Sequence, residues 1–468
     1  MNDKILIANR GEIAIRIMQA CRDLGLDYVV VYTAADEDSE HVRRNRDSKS
    51  NIQRAWQITS YTDPNDILAV ADHTDCTAIH PGYGFFSEDF RFARRVTVRD
   101  RPLTFIGPNW QVIKNLGDKI NTKKVAKSLA IPVIPGTDSP IYNEMEAEEI
   151  ADQLLDDQKS RNIKSPSILV KAAAGGGGMG IEEVEEIEVF RRVYRQVQNY
   201  AKRQFGDPGV LIEQCLRDYN HLEVQLLCSR NGERLHFGTR NCTIQSTGRQ
   251  KRVEAAPGFD DSCFAYNFDA EELLERIVRY SLKLASHVRY DNVGTWEWIV
   301  TQDGQPYLLE VNTRIQVEND ISARISYIDG KHPNLIREQI RLALGDRIGY
   351  TQQDIVFKGA SIELRIVAED TMRGFAPWIG TIEKFKLPEY EWAAVYTHVP
   401  FDRPYMIPSD FDPNLALVVL WGDTIQETKE RAGRFLSETV IEGRNGKGEP
   451  IVTNMGYLHN NLDRLLTF

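Results

Sequence analysis

The chain has 468 residues, of which 42% are hydrophobic and 27% are charged. This composition excludes an intrinsically disordered protein and predicts about three globular domains, and no apolar run reaches the roughly 18 residues that a membrane helix needs. The 57 basic and 68 acidic residues give a net charge of −11, which argues against nucleic acid or an anionic membrane as the main partner.

Residues 1–10 carry neither a basic lead nor a small-residue cleavage site, so we expect no secretory signal peptide. The cysteines form neither a CxxC pair nor the spacing of a zinc site. They are Cys21, Cys76, Cys215, Cys228, Cys242 and Cys263. These features predict a cytoplasmic, multidomain enzyme.

Predicted strands and helices alternate at the start of the chain. A β-like run at 4–8 leads through a polar turn at 9–12 into a helical pattern that ends near Cys21, and residues 27–32 form a second strand. This alternation predicts a parallel sheet of the dinucleotide-binding, Rossmann-like type. The first turn contains a single glycine and therefore lacks the G-x-G-x-x-G phosphate loop. We place the first domain boundary near 107–114.

The remainder of the chain changes character twice. Residues 140–205 are rich in Glu, Gln, Arg and Lys and contain one strand, 167–171, that runs into a glycine tract, which predicts a mobile lid. Long antiparallel strands follow between 210 and 317. After about residue 360 comes a mixed C-terminal segment, with a strand at 418–421 and a last helix at 424–438.

The glycine tract at 171–180 reads Lys-Ala-Ala-Ala-Gly-Gly-Gly-Gly-Met-Gly. It is not a P-loop, because no Gly-Lys-Ser/Thr follows. Consecutive glycines let backbone N–H groups approach phosphate oxygens, so such a loop can close over a nucleotide. A flexible linker is the alternative; the strand that leads directly into the tract and the absence of serine argue against it.

A hairpin is predicted around Asp303-Gly304, a strong turn signal. With those two residues as the loop, Glu297 and Glu310 are directly opposite each other, and Asn312 lies on the same face. Facing carboxylates repel, whereas two carboxylates and an amide oxygen suit a hard divalent cation such as Mg²⁺. The alternative is a solvated face on which nearby cations separate the glutamates.

The segment 314–318, Arg-Ile-Gln-Val-Glu, follows this hairpin directly. An extended backbone would place Arg314, Gln316 and Glu318 on one side. Arginine suits an oxyanion, and a nearby glutamate can act as a base. A structural ion pair explains the segment equally well in isolation, and its position after the hairpin favours catalysis.

Several motifs in order resemble biotin carboxylase, an ATP-grasp enzyme and a component of biotin-dependent carboxylases such as acetyl-CoA carboxylase. They are IANRGEIA at 7–14, AIHPGYGFFSE at 78–88, GDK at 117–119, Lys171 with its glycines, EVNTRIQVE at 310–318 and ELRIVAED at 363–370. The resemblance runs from end to end. It implies a Rossmann-like preATP-grasp domain at 1–113, an ATP-grasp domain at 114–345 with a lid at about 140–210, and a mixed α/β C-terminal domain at 346–468.

The resemblance also implies an ATP site. Lys119 and Lys171 would contact the phosphates, and a hinge at Glu213 to Leu216 would bind the adenine. His221 and Gln245 would lie along the nucleotide. The lid loop would contain Gly175, Gly176, Gly177, Gly178 and Gly180.

The implied reaction uses ATP and bicarbonate to form carboxyphosphate and then carboxylates the N1′ nitrogen of biotin. Glu297, Glu310 and Asn312 match the family's positions for Mg²⁺ or Mn²⁺, and Glu318 matches its base. Lys251, Arg314 and Val317 would hold bicarbonate and carboxyphosphate. Arg365 would stabilise the biotin enolate.

This sequence departs from the family pattern around the nucleotide. The lid lacks its usual arginine, 245–251 (QSTGRQK) is one residue longer and lacks a histidine, Gln214 replaces a lysine, and Asn319-Asp320 replaces His-Pro or His-Ala. Residues 43–52 and Ala416 also differ. These differences motivate two alternatives, an ATP-grasp ligase with another acceptor and a non-catalytic nucleotide-binding subunit.

The family's biotin attachment site resembles Ala-Met-Lys-Met, which this sequence does not contain. Biotin is therefore expected as a substrate held on a separate biotin carboxyl carrier protein, with a carboxyltransferase as a further subunit. Free-standing members of the family are usually homodimers, so the resemblance implies a homodimer.

Overall fold

The computed structural model describes residues 3–46, 53–161, 163–173, 180–246 and 250–468. The chain divides into two compact units, each assembled from separate stretches of sequence. The first contains Met1–Gly117, His221–Glu297 and Val311–Thr467, and the second contains Asp118–Asn220, Trp298–Glu310 and Phe468. Among the described helices, none is both long and apolar enough to cross a bilayer.

The first unit begins with a parallel sheet of strand order β3-β2-β1-β4-β5. Its strands are β1 Lys4–Ile7, β2 Asp27–Tyr32, β3 Ala55–Gln57, β4 Ala78–His80 and β5 Thr104–Phe105, and its helices are α1 Gly11–Asp23, α2 Glu40–Arg46, α3 Pro64–His73, α4 Phe90–Thr97 and α5 Trp110–Gly117. Successive residues of β1 enter opposite cores: Ile5 packs in the same core as Ile17 of α1, and Leu6 packs in the same core as Phe92 of α4. Helices cover both faces, which confirms the predicted Rossmann-like arrangement.

A largely antiparallel sheet follows, with strand order β13-β12-β9-β10-β11-β16-β22-β20. Its strands are β9 Tyr219–Cys228, β10 Arg234–Asn241, β11 Val253–Ala256, β12 Asn292–Thr301, β13 Pro306–Asn312, β16 Ala360–Val367, β20 Ala393–Tyr396 and β22 Asn414–Gly422. Every residue of β11 is buried, as are nearly all residues of β9 and β12. A polar side chain on these strands therefore needs a partner within the protein.

The turn between β12 and β13 corrects one expectation. The Gly304 N–H donates to the Thr301 carbonyl at 2.9 Å, and the Thr301 N–H donates to the Gln305 carbonyl at 3.1 Å. The loop therefore contains three residues, 302–304, and Gly304 has φ +73°. A type I turn followed by a left-handed glycine gives this hairpin, so the predicted two-residue loop is wrong, while the pairing of Glu297 with Glu310 stays a prediction.

The remaining helices and strands of the first unit are shorter, apart from α9 and α12. They are α9 Ala270–His287, α10 Asn319–Arg324, β14 Ser326–Tyr327, α11 Leu335–Ala343, β15 Val356–Phe357, β17 Glu369–Asp370, β18 Ala376–Pro377, β19 Thr381–Lys386, β21 Tyr405–Met406, α12 Ile425–Glu438, β23 Val440–Arg444 and α13 Met455–Asn461. Short 3₁₀ helices lie at Ala34–Asp36, Gln352–Asp354, Thr371–Arg373 and Leu462–Arg464. The Thr424 side chain caps α12, as the predicted helix at 424–438 requires.

The second unit is a small α+β assembly whose sheet has the order β7-β6-β8. Its elements are α6 Lys119–Ser128, α7 Glu144–Ser160, β6 Ile168–Ala172, β7 Ile181–Val184, α8 Ile187–Phe205 and β8 Val210–Gln214. Phe190 and Tyr194 of α8 are buried together with Ile168 and Val170 of β6. Gly206 ends α8 at φ +77°, a conformation that favours glycine.

Buried histidines make the first unit sensitive to acid. Burial lowers the pKa of His41 and of His236 to about 4, and that of His80 and of His398 to about 3. Asp36 and Arg10 face His41 with opposing effects on its pKa. The unfolded chain binds these protons near pH 6.5 and the folded chain does not, so each histidine destabilises the fold as pH falls from about 6.5 toward its folded pKa.

We expect acid unfolding to begin below about pH 6.5, with each fully buried histidine contributing on the order of a few kcal/mol. Neither ring nitrogen of His41 has a hydrogen-bond partner within the described residues. His41→Leu is therefore expected to move the acid-unfolding midpoint, measured by circular dichroism, to lower pH. The control is His459→Leu at an exposed position. An equal shift in both variants would contradict this prediction.

Candidate active site

Lys251 lies at the centre of a buried charge cluster in the first unit. Its Nζ donates to Glu318 Oε1 at 2.9 Å, lies 3.4 Å from Glu297 Oε1, and also donates to Glu223. The Lys251 side chain is only 15% exposed. Burial alone would lower its pKa, but the facing carboxylates raise the pKa of Lys251 well above its ordinary value. Lys251 is therefore a permanent cation among acids.

Glu318 is held between two cations. Its Oε1 accepts from Lys251, and its Oε2 accepts from Arg365 Nη2 at 3.1 Å; the side chain is 3% exposed. Burial raises the pKa of Glu318, yet Lys251, Arg365 and Arg240 outweigh burial and hold that pKa well below its usual range. The carboxylate is thus ionised and free to accept a proton once a substrate competes for its cations.

Arg240 of β10 supports this cluster from inside the sheet. It has no exposed surface and donates to five side chains: Glu223 at 2.8 Å, Gln225 at 2.7 Å, Ser322 at 3.1 Å, Thr295 at 3.2 Å and Gln316 at 2.5 Å. The Gln316 amide in turn donates to Glu297 Oε1 at 3.1 Å. One guanidinium therefore fixes groups on several elements.

The segment 312–319 is tied to the N-terminal parallel-sheet region. Arg314 Nε donates to Glu88 Oε2 at 3.0 Å, and the Thr313 N–H donates to Glu88 Oε1 at 3.1 Å. Arg16 of α1 donates to the Val317 carbonyl at 3.1 Å. Asn319 donates to the carbonyl of Gln316 at 2.7 Å. This asparagine, at a position where the sequence departs from the family, holds the loop that carries Glu318.

His221 links the polar residue Gln245 to Glu297. Gln245 Nε2 lies 2.9 Å from His221 Nδ1, and His221 Nε2 lies 2.9 Å from Glu297 Oε2. Because an amide nitrogen only donates, Nδ1 is the acceptor and Nε2 carries the hydrogen. The histidine therefore orients Glu297. Residues 247–249, where the sequence also departs from the family pattern, lie outside the described residues.

The second unit has its own cluster of cations. Glu213 on β8 accepts from Lys171 at 2.5 Å and from Lys123 at 3.2 Å, and the two lysines lower the pKa of Glu213 against the effect of burial. Lys119 pairs with Glu310 at 2.6 Å. Lys171, at the end of β6, and Lys123, on α6, thus present positive charge suited to phosphate.

The predicted site residues therefore fall into three sets. In the first unit the structure brings together His221, Gln245, Lys251, Glu297, Asn312, Arg314, Val317, Glu318 and Arg365. The second unit contains Lys119, Lys171, Gly180, Glu213, Leu216 and Glu310. Gly175, Gly176, Gly177 and Gly178 lie outside the described residues.

The residues predicted to hold a metal offer suitable donors. Asn312 Nδ2 donates to Glu297 Oε1 at 2.7 Å, so an amide and a carboxylate of the proposed set are adjacent in the first unit. Both are hard oxygen ligands of the kind that Mg²⁺ prefers. His221, Glu223 and Glu297 also lie within 4.8 Å of one another, but Arg240 and Lys251 already neutralise Glu223. Glu297 and Asn312 fit Mg²⁺ better by ligand type, because both offer oxygen whereas His221 of that trio offers nitrogen.

Sequence reasoning missed the acids and the arginine that neighbouring strands supply. Glu223 and Arg240 are register partners on β9 and β10, and Glu254 and Glu363 are partners on β11 and β16. The signal available was alternation: His221, Glu223 and Gln225 are three polar residues at every second position of an apolar strand. Polar residues in that pattern indicate that one face of this apolar strand is polar and needs partners within the protein.

Three family models match the chain in sequence order. They are the biotin carboxylase N-terminal domain at residues 1–113, the ATP-binding domain of the carbamoyl-phosphate synthase L chain at 118–351, and the biotin carboxylase C-terminal domain at 363–462.

Curated relatives are similar over nearly the whole chain. The 2-oxoglutarate carboxylase small subunit of Hydrogenobacter thermophilus is 35% identical over 443 residues, which covers 95% of this chain and 88% of the relative. Biotin carboxylase of Halalkalibacterium halodurans is 36% identical and covers 95% and 91%.

Solved structures agree. The biotin carboxylase domain dimer of Hydrogenobacter thermophilus 2-oxoglutarate carboxylase, in complex with MgADP, ADP and bicarbonate, is 34% identical with a TM-score of 0.83, over 99% of this chain and 94% of that one. Biotin carboxylase of Campylobacter jejuni, in a β,γ-ATP complex, is 29% identical with the same TM-score, over 99% and 95%.

Proposed function

The chain belongs to the biotin carboxylase family, and from its geometry we infer which of its residues carry the reaction. The protein is an ATP-grasp enzyme of multidomain α/β and α+β fold. It carboxylates biotin with ATP, Mg²⁺ and bicarbonate, the first half-reaction of a biotin-dependent carboxylase. The observation that carries our assignment of roles is the contact of Glu318 with both Lys251 and Arg365.

We assign Glu318 as the base that takes the bicarbonate proton. An anionic substrate entering beside Lys251 and Arg314 competes with Glu318 for its cations. When those cations bind the substrate instead of Glu318, the pKa of Glu318 rises from its low value and the carboxylate becomes a better base. The deprotonated bicarbonate oxygen then attacks the γ-phosphate of ATP, ADP leaves, and carboxyphosphate forms. The Val317 backbone and Lys251 hold its oxygens.

The carboxyl carbon then bonds to N1′ of biotin as its bond to the phosphate oxygen breaks, and the released phosphate takes up the N1′ proton. We propose that Arg365 stabilises the enolate of biotin. Its contact with Glu318 and the charge that its carboxylate partners preserve support this role. Mg²⁺, or Mn²⁺ in its place, neutralises phosphate charge when bound, and Glu297, Glu310 and Asn312 would hold it.

For the nucleotide we propose that Lys119 and Lys171 contact the phosphates and that Glu213 to Leu216 read the adenine. The ion pairs of Lys171 with Glu213 and of Lys119 with Glu310 support this, because they gather these residues within one unit. His221 and Gln245 would lie along the nucleotide. We propose the domains as 1–113, 114–345 and 346–468, with the glycine lid at 175–180 excluding water from carboxyphosphate.

The relatives are biotin carboxylase components and subunits of biotin-dependent carboxylases, and one homologous structure is a dimer. We propose that this chain works as a homodimer with a separate biotin carboxyl carrier protein and a carboxyltransferase subunit. The six cysteines are all free, which supports a reducing, cytoplasmic setting.

The experiment that tests the function is ADP release by the purified protein with Mg²⁺ and ATP. We expect release to require bicarbonate and to rise several-fold when free biotin is added, because carboxyphosphate then has its acceptor. The same assay without bicarbonate is the control. ATP binding with no response to biotin would contradict biotin as the acceptor and would favour another acceptor for this ATP-grasp enzyme.

A further inference from the structure

Two buried glutamates face each other across the antiparallel sheet, outside the set of residues assigned above. Glu254 of β11 is the register partner of Glu363 of β16, and neither has exposed surface. One carboxylate oxygen each of Glu254, Glu363 and Glu318 lies within 4.8 Å of the other two. Like charges directly opposite on adjacent strands destabilise a sheet, and burial increases that cost.

A single guanidinium contacts all three acids. Arg365 Nη2 lies 2.6 Å from Glu254 Oε1 and 3.1 Å from Glu318 Oε2, and its Nε lies 3.2 Å from Glu363 Oε1. The second oxygens of the pair, Glu254 Oε2 and Glu363 Oε2, are buried and have no hydrogen-bond partner among the described residues. Each glutamate therefore keeps one buried oxygen that can carry or accept a hydrogen.

Within the part of the chain that the structure describes, Arg365 is the only cation in an ion pair with Glu254 or Glu363. Lys251 is engaged by Glu223, Glu297 and Glu318, and Arg16 of α1 pairs with Glu12 at 3.6 Å. The charged groups that act on the pair are the cations Arg365, Lys251 and Arg16 and the anions Glu318 and Glu223. A metal ion in this place would be repelled by Arg365, which already lies on these oxygens.

We propose that Glu254 and Glu363 share one proton, and that the singly charged pair positions Arg365 so that its guanidinium remains shared with Glu318. The effect of the Arg365 position on catalysis rests on the function proposed above for Arg365 and Glu318. The shared proton gives the pair one negative charge, which holds the arginine in place. With both carboxylates ionised, the doubly charged pair would draw Arg365 away from Glu318.

The protonation behaviour of the two residues supports the geometry. Burial raises the pKa of Glu254 to about 7, although Arg365 acts in the opposite direction. Burial and the charge of Glu254 raise the pKa of Glu363 well above its ordinary value. Two carboxyl groups this close titrate as a pair, in two steps.

Infrared spectroscopy of the full-length protein tests the proposal without turnover. At neutral pH we expect the C=O stretch of a buried carboxylic acid, shifted in D₂O. A shared proton requires both carboxylates, so the band should be lost in Glu254→Gln and also in Glu363→Gln, since each variant leaves one ionised carboxylate opposite an amide. Glu369→Gln is the matched control: Glu369 is also buried but fully paired with Arg252, at 2.7 Å through each of its oxygens.

No acid band in the wild-type protein, or a band that survives either single substitution, would overturn the proposal. Circular dichroism checks that both variants are folded. As a second readout, the rate of each variant is normalised to its own maximum and followed with pH. We expect the alkaline fall in activity to move to higher pH in both, because neither pair can become doubly charged. If the infrared bands behave as expected but the variants lose turnover, that loss counts against the proposed roles of Arg365 and Glu318 and not against the shared proton.

Discussion

Replacing Glu318 by Gln is expected to lower bicarbonate-dependent ADP release by about 10²- to 10⁴-fold while ATP still binds. The amide keeps the shape of the side chain but cannot take a proton. Glu318 is buried, and its two oxygens contact Lys251 and Arg365, neither of which belongs to the proposed adenine hinge. The defect should therefore appear in kcat and in the response to bicarbonate.

The measurement pairs steady-state ADP release with ATP binding by calorimetry. Glu430→Gln, at an exposed position on α12, is the control and should behave as the wild type. Loss of ATP binding in Glu318→Gln would contradict its role as a base, because the substitution would then have disturbed the nucleotide site.

Replacing Arg240 by Met is expected to reduce the free energy of unfolding by about 3–5 kcal/mol. The substitution removes a fully buried cation that five side chains share, and it leaves Glu223 with Lys251 as its remaining charged partner. Removing one partner of a buried pair is costly because the other charge stays buried. Urea denaturation followed by tryptophan fluorescence measures the loss.

Arg403→Met is the matched control, since the Arg403 side chain is 52% exposed and its ion pair with Asp402 lies at the surface. We expect that control to change stability by less than about 1 kcal/mol. Arg240→Lys should be intermediate or as damaging, because an ammonium group cannot make five donations in one plane. A loss in Arg240→Met no larger than in Arg403→Met would contradict the central place of this guanidinium.

Local patterns were enough to predict much of the fold. The runs of β-branched residues at 4–8 and 27–32 predicted parallel strands, and both are buried between helices. Thr424 was predicted to open the last long helix and does cap it. The prediction of the hairpin loop was wrong for a local reason. The sequence Asp303-Gly304 is compatible with a two-residue loop and with a three-residue loop, and the hydrogen bonds of Thr301 show that the longer loop forms.

The candidate site could be predicted only where its residues are close in sequence. The motif at 310–318 contains Arg314, Gln316 and Glu318, and all three make buried or half-buried polar contacts in the structure. Glu223, Arg240 and Glu254 come from other strands, and strand register decides which side chains meet. Local patterns in a single sequence do not determine how strands that are distant in the chain align. A shift of one residue in that alignment sends every side chain of a strand to the opposite face.

The contacts of Glu88 and Arg16 with the segment 312–319 limit how this enzyme can be shortened or recombined. The segment that carries Glu318 lies far along the chain from Arg16, yet its geometry is fixed by α1 and by the loop before α4. A fragment restricted to residues 118–351 would contain the base but would lack Arg16 and Glu88, which hold the segment that carries it. The N-terminal region is therefore not an exchangeable module, and substitutions in its helices and loops propagate to the reaction centre through two hydrogen-bonded attachments.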